Sequence, residues 1–333
     1  MKKLLTSLFI IALVACTPVV EVPEEVIEEP VEEEEEVIVY PYVSIYTGLG
    51  SMTESNKAIA VMIGNTSEAR PQSGLSLADV VYEIRVEGGI TRLMAIFSSQ
   101  FPEKVGPIRS IRIPFVQKVN EWKIGIAHYG GASTGLGDAL GLLDKSKPVI
   151  RYDGVKGINN EFFFRSSDRE APHNAYIKLD EAVVKAPTMK LTEKFIYTED
   201  PIKGSEQLDF DIIYESYYSI NYNFDEETLK YTRSINDEIQ IDAYNDEPIQ
   251  VKNIIVQYVT HRIVEDVGYV LVDFTKSGKV EYFIEGIHFS GTWEYNSDTK
   301  STEYYDELGN DVKLRPGNTW IQVALKDTEI SLN

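Results

Sequence analysis

The sequence predicts an α+β protein: a mixed α/β-type N-terminal domain with a hairpin-containing sheet, followed by a mostly antiparallel β C-terminal domain. Three observations support this. Short apolar runs alternate with helix-like apolar stripes in the first half of the chain. From about residue 208, aromatic-rich strand segments alternate with tight turns at hairpin spacing. The length of 333 residues suits two domains, and a hydrophobic content of 43% is typical of a folded chain.

Residues 1–15 have the pattern of a signal peptide. A basic start, Met1-Lys2-Lys3, precedes a twelve-residue apolar run that ends at Ala15, which is shorter than the roughly 20 residues that span a bilayer. The next residue, Cys16, is the sole cysteine of the chain. The ending Leu-Val-Ala-Cys resembles a bacterial lipoprotein box, which implies cleavage before Cys16 and attachment of a diacylglyceryl group to its sulfur. An ordinary secretory signal is the alternative.

Residues 16–40 are predicted to be the lipid-anchored cysteine and a tether of Glu, Pro and Val. Ten glutamates lie between Glu21 and Glu36, with no basic residue among them. Like charges repel and prolines oppose regular structure, so we expect a disordered spacer. Acyl chains on Cys16 would anchor the protein to the lipid bilayer, on the outer face of the cell membrane. An acidic interaction tail is the alternative for the glutamate run.

Residues 41–205 are predicted to form the α+β domain. Apolar residues 58–63 indicate a strand, and Gly88-Gly89 predicts a two-residue turn that joins two further strands in a hairpin. A strand at 124–129 follows. Helices are predicted over three segments, residues 114–122, 136–143 and 179–184.

Residues 206–333 are predicted to form the β domain. The aromatic-rich segment 212–223 and the apolar segment 253–259 indicate strands. Glycines that indicate turns recur at hairpin spacing in the rest of this segment: Gly278, Gly286, Gly309 and Gly317. The boundary near residue 205 rests on this change of composition.

The charge distribution excludes several classes of function. The chain carries 53 acidic and 32 basic residues, a net charge of −21. Without the ten tether glutamates and two signal lysines, 43 acids and 30 bases leave a body near −13, which opposes binding to nucleic acid. The chain has one cysteine and four histidines, which are few ligands for a metal cluster, so no metal site is predicted. Because Walker A, dinucleotide-binding and H-E-x-x-H patterns are missing, no cofactor is predicted.

The predicted hairpin carries the first candidate site. Glu83, Arg85 and Glu87 alternate along a strand, so they share one face. A two-residue turn would set Arg85 opposite Arg92, and two facing guanidiniums need carboxylates or a bound anion between them. A solvated face with compensating charges is the alternative.

Three further segments supply candidates. Arg109 and Arg112 precede a predicted helix, whose first turn favours anions, although exposed charges beside a turn are the simpler interpretation. His128 and Ser133 flank a glycine-rich turn that could donate backbone N–H groups to a ligand. The polar loop 165–174 ends with a further pair of candidates, His173 and Asn174.

Enzymatic interpretations are weaker. Gly131–Gly135 matches the G-x-S-x-G pattern around Ser133, and His173 with Asp153 or Asp168 would follow in hydrolase order, but the parallel strand–helix series of that fold is missing. Glu83 and Glu87 on one strand lie about 13 Å apart at 3.3 Å per residue. Paired catalytic carboxyls lie about 5 to 9.5 Å apart, so these two cannot be such a pair.

Several segments together resemble the YerB-type family of bacterial surface lipoproteins, a two-part domain of unknown function found mainly in Gram-positive bacteria. The similarity runs from about residue 57 to near the C-terminus through these segments: Ala-Arg-Pro-Gln-Ser-Gly-Leu (69–75), Ala-Asp-Val-Val-Tyr-Glu (78–83), Glu-Gly-Gly-Ile-Thr-Arg (87–92), Gly-Pro-Ile-Arg-Ser (106–110), His-Tyr-Gly-Gly-Ala-Ser (128–133), Ala-Pro-His-Asn (171–174), Asn-Ile-Ile-Val-Gln-Tyr (253–258) and Pro-Gly-Asn-Thr-Trp-Ile-Gln-Val (316–323). Gly135, Phe163 and Asn236-Asp237 depart from the family pattern. The resemblance implies an envelope location and a two-part layout, and no reaction.

These observations predict a lipid-anchored cell-envelope protein. Its N-terminal domain would bind an anionic or glycan cell-wall ligand, or an envelope assembly partner, through a polar site. The predicted ligand-binding residues are Arg85, Arg92, Arg109, Arg112, His128, Ser133, His173 and Asn174. The alternative is a peptidoglycan-acting hydrolase that uses Glu83 or Glu87 with His128 or His173. A solute-binding lipoprotein fits the location but lacks two similar α/β lobes.

Overall fold

The computed structural model describes residues 38–264 and 268–333. The predicted signal peptide, Cys16 and most of the predicted tether lie outside the described residues. Tyr40–Asn333 form one compact unit. Within the part of the chain that is described, no helix is both long enough and apolar enough to cross a membrane.

The described residues up to 204 contain short strands and three α-helices. In chain order these are β1 (Tyr42–Val43), β2 (Gly50–Ser51), β3 (Ile59–Gly64), β4 (Val80–Arg85), β5 (Thr91–Phe97), α1 (Ile113–Trp122), β6 (Gly125–His128), α2 (Ala139–Ser146), β7 (Arg151–Asp153), β8 (Phe163–Arg165), β9 (Ala175–Ile177), α3 (Leu179–Lys185) and β10 (Ile196–Tyr197). The three predicted helices are thus confirmed, with α2 beginning three residues late because Asp138 caps it by accepting from Gly141 N at 2.7 Å.

The second half consists of strands and turns throughout its described residues. The strands are β11 (Ser205–Glu206), β12 (Asp209–Glu215), β13 (Tyr218–Asp225), β14 (Lys230–Ile235), β15 (Glu238–Ile239), β16 (Ile241–Asp242), β17 (Glu247–Pro248), β18 (Gln250–Val251), β19 (Asn253–Val264), β20 (Tyr269–Asp273), β21 (Ser277–Ile284), β22 (Ile287–Asn296), β23 (Ser301–Asp306), β24 (Lys313–Leu314), β25 (Thr319–Leu325) and β26 (Glu329–Leu332). The aromatic-rich segment 212–223, predicted to be strand, lies in a hairpin of β12 and β13.

A twelve-stranded sheet forms the centre of the molecule. Ten of its strands follow the order β11-β22-β21-β19-β25-β4-β5-β3-β6-β7, and β20 and β23 pair at β19 and β22. Strands β19, β25 and β4 are mutually parallel, as are β3, β6 and β7, and β5 runs antiparallel between the two groups. These six parallel strands therefore end at one common edge, called here the carboxyl edge.

The two halves of the chain share this sheet. Strand β25 from the second half pairs in parallel with β4 from the first, with Gln322 beside Glu83. Every residue of β25 is buried, as expected for a central strand covered on both faces. The fold is thus α+β in two sequence parts that meet in one continuous sheet.

Each face of the sheet is covered by a different layer. On one face lie α1 and α2, where Phe115, Val119 and Trp122 are buried and Trp122 Nε1 donates to the Tyr82 hydroxyl at 3.1 Å. On the other face lies an antiparallel sheet of β15-β14-β13-β12-β26 with β18. Its alternating apolar residues pack on the central sheet, for example Phe210 stacked on Phe283.

The β4–β5 hairpin is confirmed, but its predicted turn and register are wrong. Val86 N donates to Ile90 O at 2.8 Å, so the turn has three residues, Glu87–Gly89. Gly88 and Gly89 both take positive φ, 72° and 73°, which the tight turn requires. The extra residue pairs Arg85 with Thr91 and moves Arg92 to the opposite face of the sheet.

Candidate functional site

Three arginines and one glutamate meet at the carboxyl edge of the sheet, and they are called here the arginine cluster: Arg92, Arg109, Arg112 and Glu87. Arg112 Nε donates to Glu87 Oε2 at 3.0 Å, and its Nη2 pairs with the other carboxylate oxygen. Arg92 Nη2 lies 3.8 Å from Glu87 Oε1, and Arg92 Nη1 donates to the Ser110 carbonyl. Arg109 Nη1 donates to the Pro172 carbonyl at 3.1 Å.

Local backbone structure explains why these side chains converge. Arg92 is the second residue of β5 and points to the α1 face because of the three-residue turn. Arg109 N donates to Met62 O at 2.9 Å, which holds the segment before α1 against β3. Gly64, the last residue of β3, leaves room for Arg109, since a Cβ there would lie 2.8 Å from Arg109 Cγ. Arg112 is the N-cap residue of α1.

Burial and mutual repulsion change the protonation equilibria of the cluster. Burial and then the neighbouring Arg112 charge lower the pKa of Arg92 to about 9, and the same two causes lower the pKa of Arg109. Burial opposes ionisation of Glu87, but hydrogen bonding and charge from Arg112 outweigh it and hold that pKa below its usual range. At pH 7 the cluster thus has three positive charges and one negative charge.

This excess of positive charge suits an anion. Among the residues that the structure describes, Glu87 is the one carboxylate that pairs with a guanidinium of the cluster, and it pairs with Arg92 and Arg112 but not with Arg109. Guanidinium groups bind carboxylate and phosphate oxygens with two parallel hydrogen bonds, and the amino-terminal end of α1 adds positive potential. Ligands of open sheets with parallel strands also bind outside the carboxyl ends of the strands, where this cluster lies.

The second half of the chain contributes to the border of the cluster. The Tyr269 ring lies 5.2 Å from Arg112 Cζ. The same ring packs on Gly137, where a Cβ would lie 2.1 Å from Tyr269 Cδ2. Both parts of the chain therefore contribute to the surroundings of the cluster.

Comparison with known proteins identifies the family. The N-terminal domain of a protein of unknown function, DUF3048, matches residues 46–192, and the C-terminal domain of the same family matches residues 210–321. The chain belongs to the DUF3048 family. It is 31% identical over 284 residues to "Putative lipoprotein YerB" of Bacillus subtilis (strain 168), which covers 80% of this chain and 81% of the relative. A crystal structure of YerB protein from Bacillus subtilis has 28% identity and a TM-score of 0.75, over 87% of this chain and 99% of that one.

The resemblance to YerB-type proteins is therefore confirmed, and the DUF3048 fold brings only part of the predicted site together. Of the candidates, Arg92, Arg109, Arg112 and Glu87 meet, and His173 adjoins them. His173 follows the carbonyl that Arg109 binds, and burial and then the Arg109 charge lower the pKa of its imidazole. It lines a surface pocket of about 480 Å³ together with Glu68, Arg70 and Arg169.

Glu83 and Arg85 lie on the opposite face of the sheet, away from the arginine cluster. Glu83 is fully buried and pairs with the equally buried Arg233 at 2.7 Å. Its other oxygen accepts hydrogen bonds from three side chains: Asn65 at 3.0 Å, Thr91 at 2.7 Å and Tyr218 at 2.7 Å. Arg85 pairs with Glu215 of β12. The predicted face of Glu83, Arg85 and Arg92 is thus divided between the two sides of the sheet.

His128 is also fully buried. Its Nδ1 contacts the Gly130 carbonyl at 2.8 Å, and its Nε2 accepts from Arg151 Nε at 3.0 Å. Burial is the main cause that lowers the pKa of this imidazole to about 4, so it is neutral at pH 7. In this position His128 orders β6 and β7, and it has no exposed surface for a ligand.

The remaining candidates lie on exposed loops. Asn174 Oδ1 accepts from Arg165 Nη1 at 2.6 Å, and Ser133 is exposed before α2. None of the hydrogen bonds found among the described residues joins Ser133 to a histidine, or joins Glu83 or Glu87 to His128 or His173. Because Glu83 and His128 are also inaccessible, the hydrolase alternative has no supporting geometry.

Sequence reasoning missed the partners of Glu83. Arg233 of β14 and Tyr218 of β13 come from the second half, and Arg233 also pairs with Gln240 and lies over the Trp320 ring at 4.8 Å. Their separation from Glu83 by more than 130 residues left no local pattern to find.

Proposed function

We propose that this chain is a lipid-anchored protein of the bacterial cell envelope whose body binds an anionic group through Arg92, Arg109 and Arg112. The observation that carries the proposal is the charge imbalance of the cluster: Arg92 and Arg112 share the Glu87 carboxylate, and Arg109 bonds to the Pro172 carbonyl instead. A cell-wall polymer with phosphate or carboxylate groups, or an acidic envelope partner, has the required chemistry.

The burial of the cluster supports a bound anion. Arg92 is 5% exposed, and burying a charge is costly unless it is paired. Buried guanidiniums without a partner therefore lower the stability of the fold. A bound anion offsets this cost, because it forms charge-assisted hydrogen bonds with them. Arg109 and Arg112 are both half-buried, and Arg109 is best placed to meet a ligand because it has no carboxylate partner among the described residues.

Anchoring is supported by Cys16 and by the similarity to the Bacillus subtilis protein named as a lipoprotein. We expect metabolic labelling with a palmitate analogue to modify the wild-type chain, and to leave Cys16→Ser unlabelled and released from the membrane fraction. Because Cys16 is the sole cysteine, any thioether-linked label must report this position. Equal labelling of both chains would overturn the anchor.

The anion site is tested by calorimetric titration with pyrophosphate and with soluble anionic cell-wall fragments. We expect Arg109→Gln to weaken binding at least tenfold, about 1.4 kcal/mol. Lys276→Gln removes one exposed positive charge from the second half, so it controls for net charge and should bind as wild type does.

Equal affinities of wild type and Arg109→Gln for these anions would show that the cluster is not the binding site. Equal weakening by Lys276→Gln would indicate general electrostatic attraction. Binding should also weaken as salt concentration rises, because salt screens partly exposed charges.

A further inference from the structure

A second cavity lies at the opposite edge of the central sheet, where β4, β19 and β25 begin. Its volume is about 750 Å³, within the range of small-molecule sites. The segment 40–53, the starts of the three strands and the β17–β18 region form its walls. Three lining residues directly precede these strands: Asp79, Lys252 and Asn318. This cavity is called here the amino-edge pocket.

Several hydroxyl-bearing side chains line the pocket. Ser44 Oγ and Ser99 Oγ lie 3.1 Å apart, and one hydrogen bond between them uses one of their two hydroxyl hydrogens. The other hydrogen remains available to a ligand. Ser76, which donates to Asp242 at 2.7 Å, and Thr47 also line the pocket. A hydroxyl both donates and accepts, so such a surface matches a ligand that is itself rich in hydroxyls.

Asp79 places a carboxylate in the pocket wall and is only 4% exposed. Ser98 N and Ser99 N both donate to its Oδ2, at 2.6 and 2.9 Å. No hydrogen bond to Oδ1 is found among the described residues, and this oxygen can accept two hydroxyl hydrogens. Burial raises the pKa of this carboxyl to about 6 even though these backbone N–H groups oppose the shift.

The charges around the pocket are close to balance. Lys252 Nζ pairs with Glu285 at 2.7 Å, and the same carboxylate also accepts from Arg315, which does not line the pocket. That leaves the Asp79 carboxylate and the ammonium of Lys230, for which no ion pair is found among the described residues. This balance differs from the arginine cluster, whose three positive charges outnumber one negative charge. A neutral ligand therefore fits the amino-edge pocket better than an anion does.

An aromatic ring completes the wall. Tyr40 packs on Gly50, where a Cβ would lie 2.4 Å from Tyr40 Cδ2, and the Tyr40 side chain is half exposed. Aromatic faces accept the apolar C–H face of a sugar ring, while nearby polar groups bind its hydroxyls. Glycine at position 50 is therefore needed to keep the ring against the hairpin of β1 and β2.

We propose that the amino-edge pocket binds a neutral saccharide, with Tyr40 against one ring face and Asp79 and Ser99 on the hydroxyls. This site is separate from the arginine cluster and does not rest on the function proposed for it. A protein with both sites would hold a glycan at one edge of the sheet and an anionic group at the other.

The test is a titration of the intact chain with the disaccharide of N-acetylglucosamine, followed by NMR. We expect Tyr40→Ala and Asp79→Asn each to weaken binding at least tenfold, and Arg109→Gln to change it less than twofold. Asp79→Asn could unfold the chain, since Asp79 holds two backbone N–H groups. Tyr40→Ala decides in that case, because a half-exposed ring contributes little to folding.

No binding at about 10 mM disaccharide, a concentration that detects even weak affinity, would overturn the proposal. Loss of binding in Arg109→Gln, or displacement of the sugar by pyrophosphate, would assign the sugar to the arginine cluster and also overturn it. Pyrophosphate binding that persists in Tyr40→Ala would show that the two sites are independent.

Discussion

The two faces of the central sheet carry two charge clusters that differ in balance. Toward the antiparallel sheet, one glutamate, Glu83, meets one arginine, Arg233, and both are fully buried. Toward α1, three arginines meet Glu87, and the cluster remains partly exposed. The charges of Glu83 and Arg233 therefore balance each other. The arginine cluster has an excess of positive charge that a ligand could balance.

This contrast separates a structural ion pair from a candidate binding site. Both clusters begin on the same β4–β5 hairpin, and a single additional turn residue decides which side chains face each layer. Residue type and proximity in sequence therefore do not distinguish the two roles. Burial and charge balance do.

The largest expected effect follows from breaking the balanced pair. Arg233→Met should lower the free energy of unfolding by about 3–5 kcal/mol, because it leaves the Glu83 charge buried without its cation. Urea denaturation measures this loss. The double variant Glu83→Met with Arg233→Met should recover part of the stability, since it removes both buried charges, although Asn65, Thr91 and Tyr218 then lose the acceptor oxygen of Glu83. A double variant as unstable as the single one would mean that the pair is not the source of the effect.

The sequence predicted more of the fold than of the site. The helix at Phe115, Val119 and Trp122 and the β4–β5 hairpin follow from local periodicity and turn signals, and both are observed. The parallel pairing of β25 with β4 joins residues more than 200 positions apart, and no local pattern encodes it. The arginines of the cluster were each recognised, but their partners depended on the turn length.

The tertiary environment also decided the roles of the histidines. A glycine-rich turn after His128 predicts a ligand site, yet β7 brings Arg151 and Asp153 beside the imidazole and encloses it. The left-handed conformations at Asn236 and Asp237 show the opposite case, since the turn forms with no glycine at either position. Local signals thus predict backbone shape better than they predict which side chains remain accessible.

The Asp79 carboxylate is a third buried charge, and no cation pairs with it among the described residues. Burial raises the pKa of Asp79 to about 6, above its value near 3.8 in the unfolded chain. The folded state therefore binds this proton more tightly, so the stabilisation is fully present below pH 3.8 and is lost as pH rises through 6. Between pH 7 and pH 5 the wild type should gain about 1 kcal/mol relative to Asp79→Asn, as measured by urea denaturation. A constant difference across this range would contradict the raised pKa.

The smallest effect is expected at Arg85, which the sequence assigned to the ligand site and the structure pairs with Glu215. Because this ion pair is partly exposed, Arg85→Gln should cost about 0.2–1 kcal/mol of stability. It should leave pyrophosphate affinity unchanged, in contrast to Arg109→Gln on the other face. Calorimetry on the two variants under the same low-salt conditions makes the comparison, with Lys276→Gln as the charge control. If Arg85→Gln weakened binding as much as Arg109→Gln, the anion would contact both faces of the hairpin, and the division between a structural pair and a binding cluster would fail.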